Sequence, residues 1–232
     1  MPPETRLNNT LPLLLHIATT TTGLIDAISY LGLGHVFTAN MTGNVVFLAF
    51  AVAGAPGLSL TRSLTALVAF LIGALIGGRL AARLSELVRP NWITTALTME
   101  SALLLAATLV AINFRDSSAS PFQSYSIIVL TALTMGIRNA TVRKLGIPDL
   151  TTTVLTLTIT GLAADSRLAG GTSPRWGRRL LAVLLMFFGA VIGTLLLRRS
   201  LVLPLATATF LSICCVAISK KQRDFLTKSA TR

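Results

Sequence analysis

AFLIGALIG, Ala69–Gly77, carries no charge and no hydrogen-bonding side chain, and MFFGAVIG, Met186–Gly193, repeats its ending later in the chain. Such a run belongs either in a protein core or in lipid. The apolar residues around each copy settle the choice, since both runs extend to about 20 residues, enough to cross a hydrocarbon layer of roughly 30 Å as a helix. Further windows of that kind recur along the sequence. Of the 232 residues, 53% are apolar and only 12% charged, against about 25% charged in an ordinary soluble domain. Mean hydropathy is +0.74. The apolar residues do not alternate as strands facing lipid would, so the sequence predicts an all-α fold: a polytopic transmembrane helical bundle of six to eight membrane segments.

Eight hydrophobic segments are expected, near 11–31, 36–54, 63–84, 92–112, 122–140, 150–164, 179–198 and 200–219. The sixth is short for a crossing. The glycine turn at Gly32 and Gly34 leaves room for broken or re-entrant helices. Arginine and lysine in short connections set orientation. Arg167, Arg175, Arg178 and Arg179 after the sixth segment, and Lys220, Lys221, Arg223, Lys228 and Arg232 in the tail, ask for the cytoplasmic side. Arg79, Arg83 and Arg89 conflict with that if all eight segments cross, and one re-entrant segment among the fourth to sixth would remove the conflict. The first segment lacks a convincing cleavage site and is expected to be retained.

The two copies of the opening motif sit in a longer correspondence. Gly23-Leu-Ile-Asp26-Ala27 matches Gly136-Ile-Arg138-Asn139-Ala140, and Met41-Thr42-Gly43-Asn44 matches Leu155-Thr156-Leu157-Thr158, in one order and at an offset of about 113 to 116 residues. This order predicts an internal two-fold repeat. The organisation is then a polar N-terminal segment (1–10), a first membrane repeat (11–112), a connecting loop (113–121), a second membrane repeat (122–219) and a basic tail (220–232). Duplicated halves are a common plan of secondary transporters, which place their sites where the repeats meet near the midplane. Four crossings per half would make the repeats parallel, and three would invert them.

Asp26, Glu100 and Arg138 are ionisable residues inside apolar runs, and such residues face the bundle interior, pair, or line a wet cavity. The repeat offset puts Asp26 and Arg138 at neighbouring positions of the two copies, which predicts an Asp26–Arg138 pair. Asp26 and Glu100 are the two carboxylates available for proton coupling. In FTANMTGNVV, Phe37–Val46, the residues Thr38, Asn40, Thr42 and Asn44 supply hydroxyls and amides at helical spacing, suited either to lining a site or to bonding helices together. The expected solute-binding set is Asp26, Asn40, Thr42, Asn44, Arg138 and Asn139.

The net charge of +12 lies mostly in connections and the tail, with no basic domain to hold nucleic acid. The tail is also a candidate for contact with anionic lipid. Cys214 and Cys215 are adjacent in an apolar run, without metal-ligand spacing, and read as packing residues. No catalytic constellation, phosphate loop or cofactor motif occurs, so no enzyme, metal or cofactor is expected.

The run GLIDAISYLGLGHVFTANMTGNVV, with an Asp after glycine followed by Phe-x-x-x-Met-Thr-Gly-Asn, resembles the signature of the YoaK family of bacterial membrane proteins. MGIRNATVRKLGIPDLTTTVLT resembles that family's later element. This chain departs from the family pattern at Arg138, where glutamine is usual, and at Leu157, where glycine would complete a second Thr-Gly. The resemblance implies a multi-pass protein of the bacterial cytoplasmic membrane, permease-like by analogy. The expected function is therefore a small-solute permease or exporter with a polar midplane site, the alternative being a non-transporting membrane scaffold or sensor.

Overall fold

The computed structural model describes residues 3–84, 89–112, 121–146, 155–173 and 175–230. Most of the connecting loop expected at 113–121, and the start of the sixth sequence segment, lie outside these residues. Among the described residues, eight α-helices follow one another: α1 (Pro3–Ala27), α2 (Met41–Val52), α3 (Leu60–Leu84), α4 (Arg89–Ala111), α5 (Pro121–Leu145), α6 (Leu155–Ala164), α7 (Trp176–Leu197) and α8 (Val202–Ala230). No strand occurs among the described residues. The fold is a polytopic helical bundle.

Among the described residues, six stretches are long and apolar enough to cross a membrane: Thr10–Gly32, Leu60–Arg83, Trp92–Ala111, Pro121–Leu145, Trp176–Leu197 and Val202–Phe225. The other two helices, α2 and α6, have 12 and 10 residues. At about 1.5 Å per residue they reach only about half-way across. The shortness of the sixth segment was legible in the sequence; for the second only the glycine turn before it hinted at a broken helix. Its residues are spent on ending α1 and starting α2. A π-helical turn at Ile28–Gly32 closes α1, Gly34 and His35 take left-handed φ values of 87° and 56°, and Asn40 caps α2 by accepting from the Gly43 amide at 3.3 Å.

The six long helical stretches bring the start of α1 and the ends of α3, α5 and α8 to one face, here called the N-face. Arg79, Arg83, Arg143, Lys144, Lys220, Lys221 and Arg223 all lie toward it, while Arg62, Arg198 and Arg199 lie toward the other. The charge conflict disappears because the sixth segment is too short to cross, which makes it the single non-crossing segment expected among the fourth to sixth.

The helices pair across the two halves of the chain. α3 packs on α5, α7 on α1, and α4 on α8, with α4 also against α5 and α8 against α1. The short helices α2 and α6 rest on α3 and α7. Exchanging α1–α4 with α5–α8 maps these pairings onto themselves. The glycine motifs make the tightest of them. A Cβ at Gly73 would collide with the backbone of Leu133, and one at Gly136 with Phe70, Gly73 and Ala74. Gly189 meets Thr20 in the same way, and Gly23 meets Met186, Gly189 and Ala190. Small residues let helix backbones approach closely, which drives association where lipid removes the hydrophobic driving force. The Gly-x-x-x-Gly motifs therefore serve contacts within the chain.

Burial is uneven along the membrane normal. The main apolar core, including Ile25, Ile28, Val36, Leu104, Ile127, Ile128 and Leu205, lies in the half remote from the N-face. Among the described residues, the N-face half has two small clusters, around Leu15 with Val142 and around Trp92 with Ala81. The outward faces of α3 and α7 carry exposed Leu71, Ile72, Leu75, Phe187, Phe188 and Ile192, as lipid contact requires.

Candidate functional site

Thr19 to Thr22 sit in the middle of α1, and each hydroxyl donates to the carbonyl four residues back, which lets a threonine run persist in a membrane helix. Thr22 does a second job. Arg138 on α5 donates from Nη1 to Thr22 Oγ1 at 3.1 Å and to the Ala18 carbonyl at 2.9 Å. Its Nε donates to Glu100 Oε2 at 3.1 Å, and its Nη2 pairs with Glu100 Oε1. Glu100 on α4 also accepts from Ser212 on α8 at 3.2 Å. Both charged side chains are almost wholly buried. One buried, bidentate ion pair thus joins α1, α4, α5 and α8.

The expected Asp26–Arg138 pair does not form. Repeat arithmetic puts the two residues at neighbouring positions, but α1 and α5 meet so that Arg138 reaches Thr22, one turn before Asp26, and Glu100 from α4 fills the remaining space. Asp26 Oδ1 is buried with no hydrogen-bond partner. Asn139, at the position corresponding to Asp26, donates to the Met135 carbonyl at 2.8 Å and lines a groove of about 870 Å³ between α3 and α5, with Arg143 and Lys144 at its N-face end.

The residues of Phe37–Val46 are placed elsewhere and work locally. Asn44 is buried; its Oδ1 accepts from the Phe37 amide at 2.8 Å and its Nδ2 donates to the Phe37 carbonyl. The side chain therefore acts like a strand neighbour that pins the loop to α2. Asn40 is the helix cap, Thr42 is exposed, and Gly43 has the Phe37 ring over it. Tyr30 and Phe37 stack with ring centroids 5.2 Å apart, as do Phe37 and Phe47 at 5.6 Å. Asn40 and Asn44 are thus accounted for by loop structure, and neither is among the residues around the ion pair.

Next to the pair lies a cavity of about 30 Å³ between α1, α4 and α5, room for about one water. Its walls are Leu14, Ile93, Leu97 and Val142, it extends to Leu11 and Leu145 on the N-face side, and Glu100 and Arg138 close its inner end. α4 and α8 are joined along their length by hydroxyl pairs, Thr94–Ser219 at 2.7 Å, Ser101–Ser212 at 2.7 Å and Thr108–Thr209 at 3.0 Å. Sequence reasoning missed Thr22, Ser212 and the Ala18 carbonyl. Thr22 could have been suspected, because four hydroxyls at mid-span are costly without a partner.

The geometry can be set beside known proteins. The family model described as "Protein of unknown function (DUF1275)" matches residues 14–218. The UPF0700 transmembrane protein YoaK of Bacillus subtilis (strain 168) is 34% identical over 152 residues, covering 66% of this chain and 65% of that protein. The match therefore spans just under two thirds of the relative's length. No solved structure matches. The family model spans α1 to α8 and includes every residue of the ion-pair cluster, so this transmembrane chain belongs to the DUF1275 family, as the likeness to YoaK implied.

Proposed function

We propose that this protein is a small-solute permease of the bacterial cytoplasmic membrane, with its solute site at the Arg138–Glu100 pair. The observation that carries the reading is where the pair stands: the main apolar core fills the half of the bundle beyond it, and a cavity with room for about one water adjoins it on the N-face side. That is the arrangement of an alternating-access protein closed on one side. Glu100 lies about 12 Å from Trp92 along α4, by the helical rise, so the site is deep in the membrane. Two carboxylates are available for proton coupling: Glu100 in the pair itself, and Asp26, one turn past Thr22 with an unpartnered oxygen.

The reading includes two inverted repeats of three crossings each, which the self-consistent pairing of helices supports. It also puts the N-face and the basic tail in the cytoplasm, where the excess of arginine and lysine favours them. It involves no catalytic step. A scaffold or sensor is the second reading, favoured by the full set of partners around Arg138, which would suit a static clamp.

Single cysteines at Leu14, Ile93, Leu97, Ile28, Leu104 and Ile128, in a chain lacking Cys214 and Cys215, test the reading with an impermeant thiol reagent. The first three are expected to label from the N-face alone and the last three from neither side. Adding a transported solute should protect the reactive positions. Protection of all six under every condition favours the clamp.

A further inference from the structure

We infer that the Arg138–Glu100 site takes a small carboxylate anion together with one proton. The inference rests on the permease reading for the route by which the anion arrives, but the site's chemistry stands on its own contacts.

The two partners of the pair are not equivalent. Arginine cannot lose its charge in a protein, whereas a glutamate can. Arg138 is also anchored on a third side: Nη1 is held by the Ala18 carbonyl and Thr22 Oγ1, so the guanidinium stays in place when Glu100 lets go. Apart from Arg138, Glu100 is held by Ser212. Its carboxylate occupies the Nε–Nη2 edge of the guanidinium, the fork that matches a carboxylate with two parallel hydrogen bonds. In effect the site already binds a carboxylate, one supplied by the protein.

Protonating Glu100 leaves Arg138 as a lone buried cation among Leu14, Leu97 and Ile137, a state that an incoming anion relieves. Conversely, an anion on the fork stands beside Glu100 and favours its protonation. Anion and proton therefore bind with mutual reinforcement, as linkage requires. The charge balances: the resting pair is neutral, and adding one anion and one proton leaves the site neutral.

Few other groups can answer for a pH response there. On α8 Cys215 faces the pair. On α1 the nearest titratable residues are His16 and Asp26, outside the Ala18–Thr22 segment that holds Arg138. α4 has no other ionisable residue between Trp92 and Ala111, and on α5 the nearest are Arg143 and Lys144, exposed toward the N-face. The flanking helices α3 and α7 have none between Ser63 and Gly78 or between Leu180 and Leu197.

Calorimetric titration of the purified full-length protein with sodium acetate, in buffers of different ionisation enthalpy, tests the proposal, with methylammonium chloride as the control. Acetate is expected to bind with uptake of one proton, its affinity falling about tenfold per pH unit as one-proton linkage requires. Glu100→Ala should bind acetate without proton uptake, and acetate should raise its melting temperature while methylammonium does not. Where Glu100→Ala does not fold alone, the Glu100→Gln/Arg138→Gln double variant replaces it and is expected to bind no acetate. Binding without proton uptake in the native protein, a folded Glu100→Ala indifferent to acetate, or acetate binding by the double variant overturns the inference. Proteoliposomes separate this from the permease reading. Acetate bound with a proton but never moved defeats the permease, whereas another solute moved while acetate fails to bind defeats only the carboxylate site.

Discussion

Replacing Gly136 by alanine tests the packing that the whole bundle depends on. The added Cβ would stand 2.7 Å from Ala74 N and 3.0 Å from the Gly73 carbonyl carbon, and closer still to the Phe70 oxygen, where ordinary contact begins at 3.4 Å. Every obstacle is backbone, so no side chain can rotate away and α3 and α5 must separate by about 1 Å. A gap of that size forfeits a quarter to half of the dispersion energy of the contacts it opens. Overpacking of this kind costs about 1–3 kcal/mol, and an obstacle made wholly of backbone puts Gly136→Ala at the upper end, about 3 kcal/mol. Gly78 is the control: it lies in α3, and nothing stands within 4 Å of its Cβ position, so Gly78→Ala should be neutral or gain about 0.5–1 kcal/mol. Gly23→Ala, against Gly189 and Ala190, should cost about as much as Gly136→Ala. Unfolding in mixed micelles, followed by steric trapping, measures all three. Equal stability of Gly136→Ala and Gly78→Ala would refute the reasoning.

Glu100→Gln should cost about 3–5 kcal/mol, because it strands a buried guanidinium; adding Arg138→Gln should recover part of that loss, and a double-mutant cycle by thermal unfolding reads the coupling. Asn44→Ala removes both bonds to the Phe37 backbone and should cost about 1–3 kcal/mol, with faster hydrogen exchange over 37–44 than elsewhere. Arg179 donates to the Gly161 carbonyl at 2.6 Å and to Asp165 at 2.7 Å; Arg179→Ala should release α6 from α7, seen as accelerated exchange across 155–165 with little change in global melting.

Several features of the bundle were legible because they depend on local composition. Apolar runs of sufficient length, Gly-x-x-x-Gly motifs and polar residues out of place in lipid all mark themselves in one dimension. Asp26, Glu100 and Arg138 could be singled out in this way, since an intramembrane charge is conspicuous wherever it falls. Their pairing could not be read. The guess of Asp26 with Arg138 used repeat arithmetic, which places residues along helices but not around them, and the partner came from α4. Asn40 and Asn44 were ambiguous for a related reason. Amides that line a solute site and amides that fold a loop onto a helix look alike in sequence, and only the Phe37 backbone opposite Asn44 distinguishes them.

The sequence by itself determined that this chain lives in a membrane, that its elements are helices, and roughly where its eight apolar segments run, because backbone polar groups in lipid must be satisfied within each helix; that six of them are long enough to cross came from the structure. Only the tertiary structure decided that α3 packs on α5 and α7 on α1, that Glu100 rather than Asp26 answers Arg138, and that the cavity lies on the N-face side of that pair. Those outcomes depend on which helix faces turn toward each other, and that is fixed by close backbone approach at a few glycines and by the cost of leaving a buried charge alone.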